Sequence, residues 1–174
     1  MSKPTSRRDF LKSSAVLAGA TTVAGLSMAR SAHAAGDQAI KIGLIGCGGR
    51  GSGAAANAMN AGKDIQLVAM ADIFEDRVTG ARERLKESHG EQVAVNDDHL
   101  FVGFDAYKKV IDAVDVVLIA AASHFHPDYL TAAIDAGKHV FCEKPHGLDA
   151  PGIKKSMAAA AKATGSEDGF ALAV

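Results

Sequence analysis

The stretch IKIGLIGCGGRG, residues 40–51, decides the fold of this chain. An apolar run leads into a G-x-G-x-x-G turn, and a segment with helical character follows. Gly46 permits a tight turn, Gly48 has no side chain to obstruct a pyrophosphate, and Gly51 lets the next helix pack against the strand. The N–H groups at the start of that helix can bind an anion. The stretch predicts a dinucleotide-phosphate site; a strand-to-helix turn without a ligand is the alternative.

The first 34 residues predict an export signal rather than part of the fold. Residues 6–12 read SRRDFLK, a mildly apolar stretch follows over residues 13–28, and the segment ends in Ala-His-Ala at Ala34. This pattern is typical of a twin-arginine signal that is cleaved after Ala34. An uncleaved anchor is the alternative, but an apolar stretch of about 16 residues with two glycines and several serine and threonine side chains is short and polar for a spanning helix. We expect export by the twin-arginine route to the periplasm or another extracytoplasmic site.

Charge and length limit the classes of function. The 174 residues carry a net charge of −1. The signal holds five basic residues and one acidic residue, so the 140 residues after it carry a net charge of −5. A mildly acidic chain with few aromatic side chains and no basic run argues against nucleic acid or an anionic membrane surface as a partner. The length after the signal suits one domain.

Alternating segments predict an α/β fold for residues 38–174. The pattern predicts strands over residues 40–45, 65–71, 92–95, 115–120 and 138–142, helices over 52–61, 76–89, 105–113, 126–136 and 150–164, and a sixth strand beginning within 169–174. Strands that alternate with helices in this way form a doubly wound parallel Rossmann sheet, with right-handed crossovers and helices on both faces. A single domain of this class is expected.

The two cysteines predict free thiols, although exported proteins often contain disulfides. Cys47 follows the first strand and Cys142 closes the fifth. In a doubly wound sheet these two strands flank a third strand, so they lie two strand spacings apart. That distance is about 10 Å, beyond the roughly 7 Å limit between the Cα atoms of a disulfide.

Asp72 ends the second predicted strand, 26 residues after Gly46. A carboxylate at this place can accept hydrogen bonds from the 2′- and 3′-hydroxyls of an adenosine ribose. A 2′-phosphate would face the negative charge, so Asp72 favours NAD and makes NADP the less expected cofactor. The alternative is a cap for the following helix, which the same side chain could also provide.

The loop after the fourth strand reads AAASHFHP over residues 120–127 and lies at the carboxyl edge of the sheet. Ligands bind at this edge, near the point where the strand order reverses. We therefore expect the backbone at Ala121 to border the cofactor and His126 to contact the nucleotide. His124 and His126 have no third ligand at a suitable spacing, so no metal site is predicted.

Glu143 and Lys144 close the fifth strand at the same edge. The ammonium group of Lys144 can hold a substrate hydroxyl or carbonyl and stabilise charge while a hydride moves, and Glu143 can orient it. The alternative is an exposed lysine in a turn that Pro145 makes rigid. The position favours Lys144 as the residue that meets a substrate.

These motifs together resemble one family. The twin-arginine leader, the glycine turn, Asp72, the loop over 120–127, AGKHV over 136–140 and EKP over 143–145 occur in a single order that resembles the Gfo/Idh/MocA oxidoreductases. The resemblance covers essentially the whole chain after the signal, and the run from AGKHV to EKP is its most specific part. It implies that Lys144 is catalytic, beside the nicotinamide and the substrate. The expected cofactor-binding residues are Gly46, Gly48, Gly49, Arg50, Gly51, Asp72, Ala121, His126, Glu143 and Lys144.

The chain departs from the family pattern at two places. Ala121 and Ala122 stand where the family usually has threonine and proline, which makes the loop less rigid. Family members also continue into a second α/β domain that builds the substrate pocket and supplies a catalytic aspartate and histidine. The present sequence stops inside the expected sixth strand. We therefore expect a fold truncated before that second domain.

Three functions follow from the resemblance. The first is the NAD-binding domain of an exported sugar or cyclitol oxidoreductase, inactive alone, which would meet a small sugar-like substrate only when a second domain is supplied. The second is a truncated, non-catalytic NAD-binding module. The third is a fragment of an NAD-dependent glycosidase of the same family.

Overall fold

The structure is a computed structural model that describes residues 39–164 and 172–173. The predicted signal over residues 1–34 and both ends of the predicted domain, residues 38 and 174, lie outside the described residues.

The continuous apolar runs form the strands of one parallel sheet. Helices cover both faces of this sheet, so the strand side chains on both faces are apolar. The strands are β1 (Ile40–Ile45), β2 (Ile65–Asp72), β3 (Leu100–Val102), β4 (Val116–Ile119), β5 (His139–Cys142) and β6 (Leu172–Ala173). Their spatial order is β3-β2-β1-β4-β5-β6, and every neighbouring pair is parallel. The order reverses between β1 and β4, which is the switch point of a doubly wound sheet.

The described helices are α1 (Gly49–Ala61), α2 (Glu75–His89), α3 (Ala106–Ala113), α4 (His126–Asp135) and α5 (Ala150–Thr164). Their ends follow local chemistry. The chain leaves α2 at Gly90 with a positive φ of 54°, which favours glycine, and α4 carries a proline in its first turn, where the missing N–H costs nothing. In all these helices, the bounds lie within three residues of those predicted, and the α/β class is confirmed.

Two clusters of buried apolar side chains pack the helices against the sheet. One packs α1 and α2 on one side and includes Leu44, Met59, Leu67 and Val78; the other packs α3, α4 and α5 and includes Val110, Ile119, Leu130 and Val140. Each of these side chains is at most 3 % exposed. Close packing of this kind fixes the strand ends from which the functional loops start. Among the described residues, no helix is long and apolar enough to cross a membrane.

The prediction of a third strand over residues 92–95 is wrong. Residues 90–92 form a 3-10 turn, and Val93 makes one isolated bridge to Leu67. The strand that lies beside β2 is Leu100–Val102 instead, with Met70 opposite Leu100.

The side chain of Gln92 explains this difference. Its Nε2 donates to the carbonyl oxygens of Met59, Gly62 and Ile65 at 2.9–3.0 Å. The segment is thereby tied to the end of α1 and the start of β2, while Val93 and Val95 are buried among the side chains of the first cluster. The alternating valines therefore belong to a buried connecting segment and not to a strand that is paired in the sheet.

Both cysteines are free and buried. Cys47 follows β1, Cys142 ends β5, and β4 lies between these strands. The prediction of two free thiols is confirmed.

Candidate nucleotide-binding site

The loops that leave the carboxyl ends of the strands are joined by backbone hydrogen bonds. Each of three residues just beyond a strand donates its N–H to a neighbouring strand at 2.8 Å: Gly46 to Ala71, Ala120 to Ile45, and Glu143 to Ile119. The sheet pairing therefore extends into the loops and holds the glycine turn, the 120–125 loop and the EKP segment in fixed relative positions.

Two glycines of the turn are required by the packing of the protein itself. Gly46 has a φ of +95°, and a Cβ atom on it would lie 2.5 Å from the carbonyl carbon of Ala120. A Cβ atom on Gly51 would lie 1.9 Å from the carbonyl oxygen of Gly46. No side chain fits at either distance, so these glycines let β1, α1 and the 120–125 loop approach closely.

The other two glycines are not required by packing. Gly48 has φ −70° and ψ −177°, a conformation open to any residue, and among the described residues a Cβ atom there would meet only Arg77 Nη1, at 3.9 Å. A Cβ atom on Gly49 would meet no described heavy atom within 4 Å. These positions leave space in front of the N–H groups that begin α1, which is where a pyrophosphate would bind.

A groove of about 170 Å³ lies at the switch point. We call it the nucleotide groove; its walls include Gly46, Gly48, Asp72, Phe74, Arg77 and Ala121. Aromatic rings also line it, with the rings of Tyr107 and Tyr129 stacked at 4.2 Å between centroids. The predicted phosphate turn, ribose carboxylate and 120–125 loop are therefore brought together around one cavity.

The Asp72 carboxylate is held in place by the backbone. Its Oδ2 accepts from the N–H of Cys47 at 2.7 Å, and its Oδ1 accepts from the N–H of Phe74 at 3.1 Å. Each carboxylate oxygen can accept a further hydrogen bond, so the anchored group remains able to receive ribose hydroxyls. The bond to Phe74 lies at the start of α2, so Asp72 also supports that helix, as the alternative interpretation allowed.

Phe74 and Arg77 are among the groove residues that sequence reasoning missed. Phe74 is 50 % exposed, and the guanidinium carbon of Arg77 lies 5.2 Å from the centre of its ring. They follow Asp72 by two and five positions, at the beginning of α2. Their place in the first turn after the second strand is the signal that could have identified them, since that turn faces the ligand edge.

His126 is placed differently from the prediction. Its side chain is 1 % exposed; Nε2 lies 2.8 Å from the carbonyl oxygen of Ala121, and Nδ1 lies 2.9 Å from that of Pro145. Both ring nitrogens thus face carbonyl oxygens of the protein itself. This leaves neither for the nucleotide contact that the sequence indicated, whereas Ala121 does line the nucleotide groove.

Arg50 and Glu143 form an ion pair between the glycine turn and the end of β5. Arg50 Nη2 lies 2.6 Å from Glu143 Oε1; the Glu143 side chain is 7 % exposed and that of Arg50 73 %. The hydrogen bond and charge of Arg50 lower the pKa of Glu143, partial desolvation opposes this, and the backbone N–H and charge of Lys144 contribute further lowering. The carboxylate therefore stays ionised beside the predicted nicotinamide region.

Lys144 is exposed at this edge, next to Glu143. The structure thus gathers the groove residues at one end of the site and Arg50, Glu143 and Lys144 at the other. Within residues 39–164 and 172–173, no group of three or more histidine, cysteine, aspartate or glutamate side chains is arranged to hold a metal ion.

Known proteins are similar to this chain in sequence and in fold. Residues 40–166 match the Gfo/Idh/MocA family, described as an oxidoreductase family with an NAD-binding Rossmann fold, and residues 4–24 match a twin-arginine translocation signal. A glycosyl hydrolase family 109 protein of Solibacter usitatus is 35 % identical over 150 residues, covering 81 % of this chain and 33 % of that protein. Myo-inositol 2-dehydrogenase of Thermotoga maritima is 32 % identical, covering 71 % of this chain and 34 % of that protein.

The fold is also similar to that of scyllo-inositol dehydrogenase from Lactobacillus casei, solved with bound NAD(H) and scyllo-inositol. The TM-score is 0.58 with 28 % identity, covering 78 % of this chain and 36 % of that chain. The present chain spans about a third of the length of these relatives. The matches confirm the predicted cofactor class, the Rossmann fold and the twin-arginine signal, and the chain belongs to the Gfo/Idh/MocA family of NAD-binding oxidoreductases.

Proposed function

We propose that this chain binds NAD along the nucleotide groove. The pyrophosphate would lie over Gly48 and Gly49 at the start of α1, and the adenosine ribose would hydrogen-bond to Asp72. The observation that carries the proposal is the anchored Asp72 carboxylate, which two backbone N–H groups hold between the glycine turn and the start of α2. A fixed negative charge at this point favours ribose hydroxyls over a 2′-phosphate, and so NAD over NADP.

The other end of the site supports a role in hydride transfer. Bound NAD supplies a hydride acceptor, and the relatives that are inositol dehydrogenases make a sugar or cyclitol hydroxyl the substrate class we propose. Lys144 would donate a hydrogen bond to the substrate oxygen. Glu143, kept ionised by Arg50, would orient the Lys144 ammonium toward the substrate.

We propose that the 174-residue polypeptide alone gives no turnover. Lys144 is exposed, whereas a hydride-transfer site works best when water is excluded from it. A second α/β domain over this edge would supply the cover and the rest of the substrate pocket. Formation of NADH by this polypeptide with myo-inositol or glucose would contradict this part of the proposal. NAD binding without turnover would also describe a non-catalytic binding module.

A second candidate is a fragment of an NAD-dependent glycosidase. The observation that favours it is the 35 % identity to the family 109 glycosyl hydrolase, which extends over 81 % of this chain. In such an enzyme the bound NAD is regenerated within each turnover. With a second domain supplied, release of the aglycone without net NADH would favour the glycosidase, and net NADH from a free cyclitol would favour the dehydrogenase.

The twin-arginine signal supports export to the periplasm or another extracytoplasmic site. This route carries folded proteins, so NAD would be bound before export and held tightly afterwards. We expect protein recovered from the extracytoplasmic fraction to retain nucleotide through purification. Exported protein that is free of nucleotide and does not bind added NAD would contradict this.

The binding proposal is tested by titrating NAD and NADP into the full chain and its Asp72→Asn variant. The unaltered chain should bind NAD more tightly. Loss of the charge should weaken NAD binding about tenfold and reduce the preference over NADP, since a hydrogen bond to a charged group contributes about 1.5–3 kcal/mol. Asp76→Asn, an exposed carboxylate in the first turn of α2, is the matched control and should bind like the unaltered chain. Tighter NADP binding by the unaltered chain, or no effect at Asp72, would overturn the proposal.

A further inference from the structure

A buried histidine joins the loop that lines the nucleotide groove to the loop that carries Lys144. His126 is the first residue of α4 and lies between the loop after β4 and the loop after β5. Its ring nitrogens face the carbonyl oxygens of Ala121 and Pro145 at 2.8 and 2.9 Å. These two carbonyls are 24 positions apart in the chain, so the ring makes a link that the backbone does not.

We propose that His126 is a positioning residue that clasps the 120–125 loop to the EKP segment and so sets Lys144 relative to the nucleotide groove. Ala121 lines that groove, and Pro145 is bonded directly to Lys144. A shift of either loop would therefore change the distance between the bound nucleotide and the Lys144 ammonium. The effect of the clasp on the bound nucleotide and on Lys144 rests on the proposed function. The existence of the clasp between the two loops is independent of that function.

The chemistry of the imidazole ring fits this role. Its two nitrogens lie on different sides of a flat ring and can reach two acceptors, whereas an apolar side chain of similar size would leave both carbonyls without this partner. A neutral ring has one N–H and donates to one loop at a time, while the doubly protonated ring donates to both. The amide nitrogen of asparagine corresponds to Nδ1 and that of glutamine to Nε2, so each bond can be removed separately.

The EKP loop has a second tether that serves as a control. Ser156 of α5 donates its hydroxyl to the carbonyl oxygen of His146 at 2.6 Å. This bond ties the same loop to α5 and involves neither Ala121 nor His126. Ser156→Ala should therefore loosen residues 146–149 and leave the 120–125 loop unchanged.

The test is hydrogen exchange of backbone amides, followed by segment in the full chain without nucleotide. His126→Gln keeps the bond to Ala121, so exchange should rise about tenfold in residues 143–146 and stay unchanged in 120–125. His126→Asn keeps the bond to Pro145 and should give the opposite pattern. Equal changes in both loops, no change in either, or a rise through the whole sheet would overturn the clasp.

NAD titration of the same variants tests the consequence for the site. His126→Asn frees the loop that lines the groove and should weaken NAD binding about tenfold, while His126→Gln should stay within about threefold of the unaltered chain. Equal weakening by both variants would overturn the separate roles of the two bonds. If the unaltered chain does not bind NAD, the proposed function fails, and the exchange patterns still decide whether the clasp exists.

A measurement on the unaltered chain covers the case in which both variants fail to fold. At least one N–H of the His126 ring should give a signal that is protected from exchange with water, because the ring is buried and both nitrogens face carbonyl oxygens. The absence of any protected ring signal would contradict the clasp.

Discussion

The adenosine end and the reacting end of the site are built in different ways. At the adenosine end, backbone N–H groups hold the Asp72 carboxylate beside the nucleotide groove. At the reacting end, charged side chains satisfy one another: Arg50 pairs with Glu143, and Lys144 remains exposed. The difference shows that one βαβ unit supplies nucleotide recognition through its backbone, whereas the chemistry depends on side chains from several loops and on whatever covers them.

The largest expected effect on stability and on NAD binding comes from a substitution between the two ends of the site, where α1 packs against the glycine turn. Gly51→Ala places a Cβ atom 1.9 Å from the carbonyl oxygen of Gly46, which forces the backbone apart. We expect the free energy of unfolding to fall by about 3 kcal/mol and NAD binding to be lost. Denaturant titration and NAD titration measure the two effects.

Gly53→Ala is the matched control in the same helix. A Cβ atom there would meet no described heavy atom within 4 Å, so the change should stabilise the helix by about 0.5–1 kcal/mol. If Gly51→Ala were as stable as Gly53→Ala, the close approach of α1 to the turn would be wrong.

A smaller effect is expected at the reacting end from Arg50→Gln. Arg50 lowers the pKa of Glu143, so the pair stabilises the folded state above the unfolded pKa of glutamate, and this contribution is lost as the pH falls through the lowered folded-state pKa. Because Arg50 is largely exposed, the loss at pH 7 should be about 0.5–1 kcal/mol. Denaturant titrations across pH 3–7 measure the free energy of unfolding of the variant and of the unaltered chain. The difference between the two should become smaller as the pH falls.

Arg84→Gln is the control for this measurement, since Arg84 is an exposed arginine on α2. It should change stability little at any of these pH values. A difference for Arg50→Gln that grows toward acid would contradict the pairing with Glu143.

A further comparison concerns the two thiols, one beneath each end. Burial raises the pKa of Cys142 to about 12, with the charge of Glu143 adding to it. Burial and then the charge of Asp72 raise the pKa of Cys47 further above its ordinary value. Alkylation of the folded chain at pH 8 should be slower than in denaturant by at least about a hundredfold at both sites, since the thiolate is the reacting form.

The order of modification compares the two ends directly. Mass spectrometry of partly alkylated folded protein should show Cys142 modified before Cys47. Modification of Cys47 first would mean that the adenosine end is the more open of the two.

Local patterns were enough to predict most of the fold. The glycine turn, the continuous apolar strands and the glycine helix stops each depend on a few neighbouring residues, and they identified the doubly wound sheet and the position of Asp72. The error over residues 92–95 arose because the alternating valines resemble a strand, while the bonds that fix the segment come from Gln92 to residues about 30 positions away. Periodicity contains no information on such contacts.

The site shows the same limit. The carboxyl edge of a parallel sheet places Asp72, Ala121 and Glu143 from their positions in the chain alone. The pairing of Glu143 with Arg50 and the burial of His126 depend on rotamers and on loop packing, which spacing does not reveal. Sequence reasoning therefore located His126 at the right edge and assigned its side chain to the wrong partner.

Gly48 gives the most direct test of the claim that this edge binds NAD. Its backbone conformation suits any residue, and it is not required by the packing of the described residues. Equilibrium titration of NAD into Gly48→Val, with Gly53→Val as control, measures whether NAD binding requires that residue 48 has no side chain. We predict that Gly48→Val unfolds at the same temperature as its control and binds NAD at least about tenfold more weakly, because the side chain occupies the pyrophosphate position. Unchanged NAD affinity in a folded Gly48→Val variant would contradict the account.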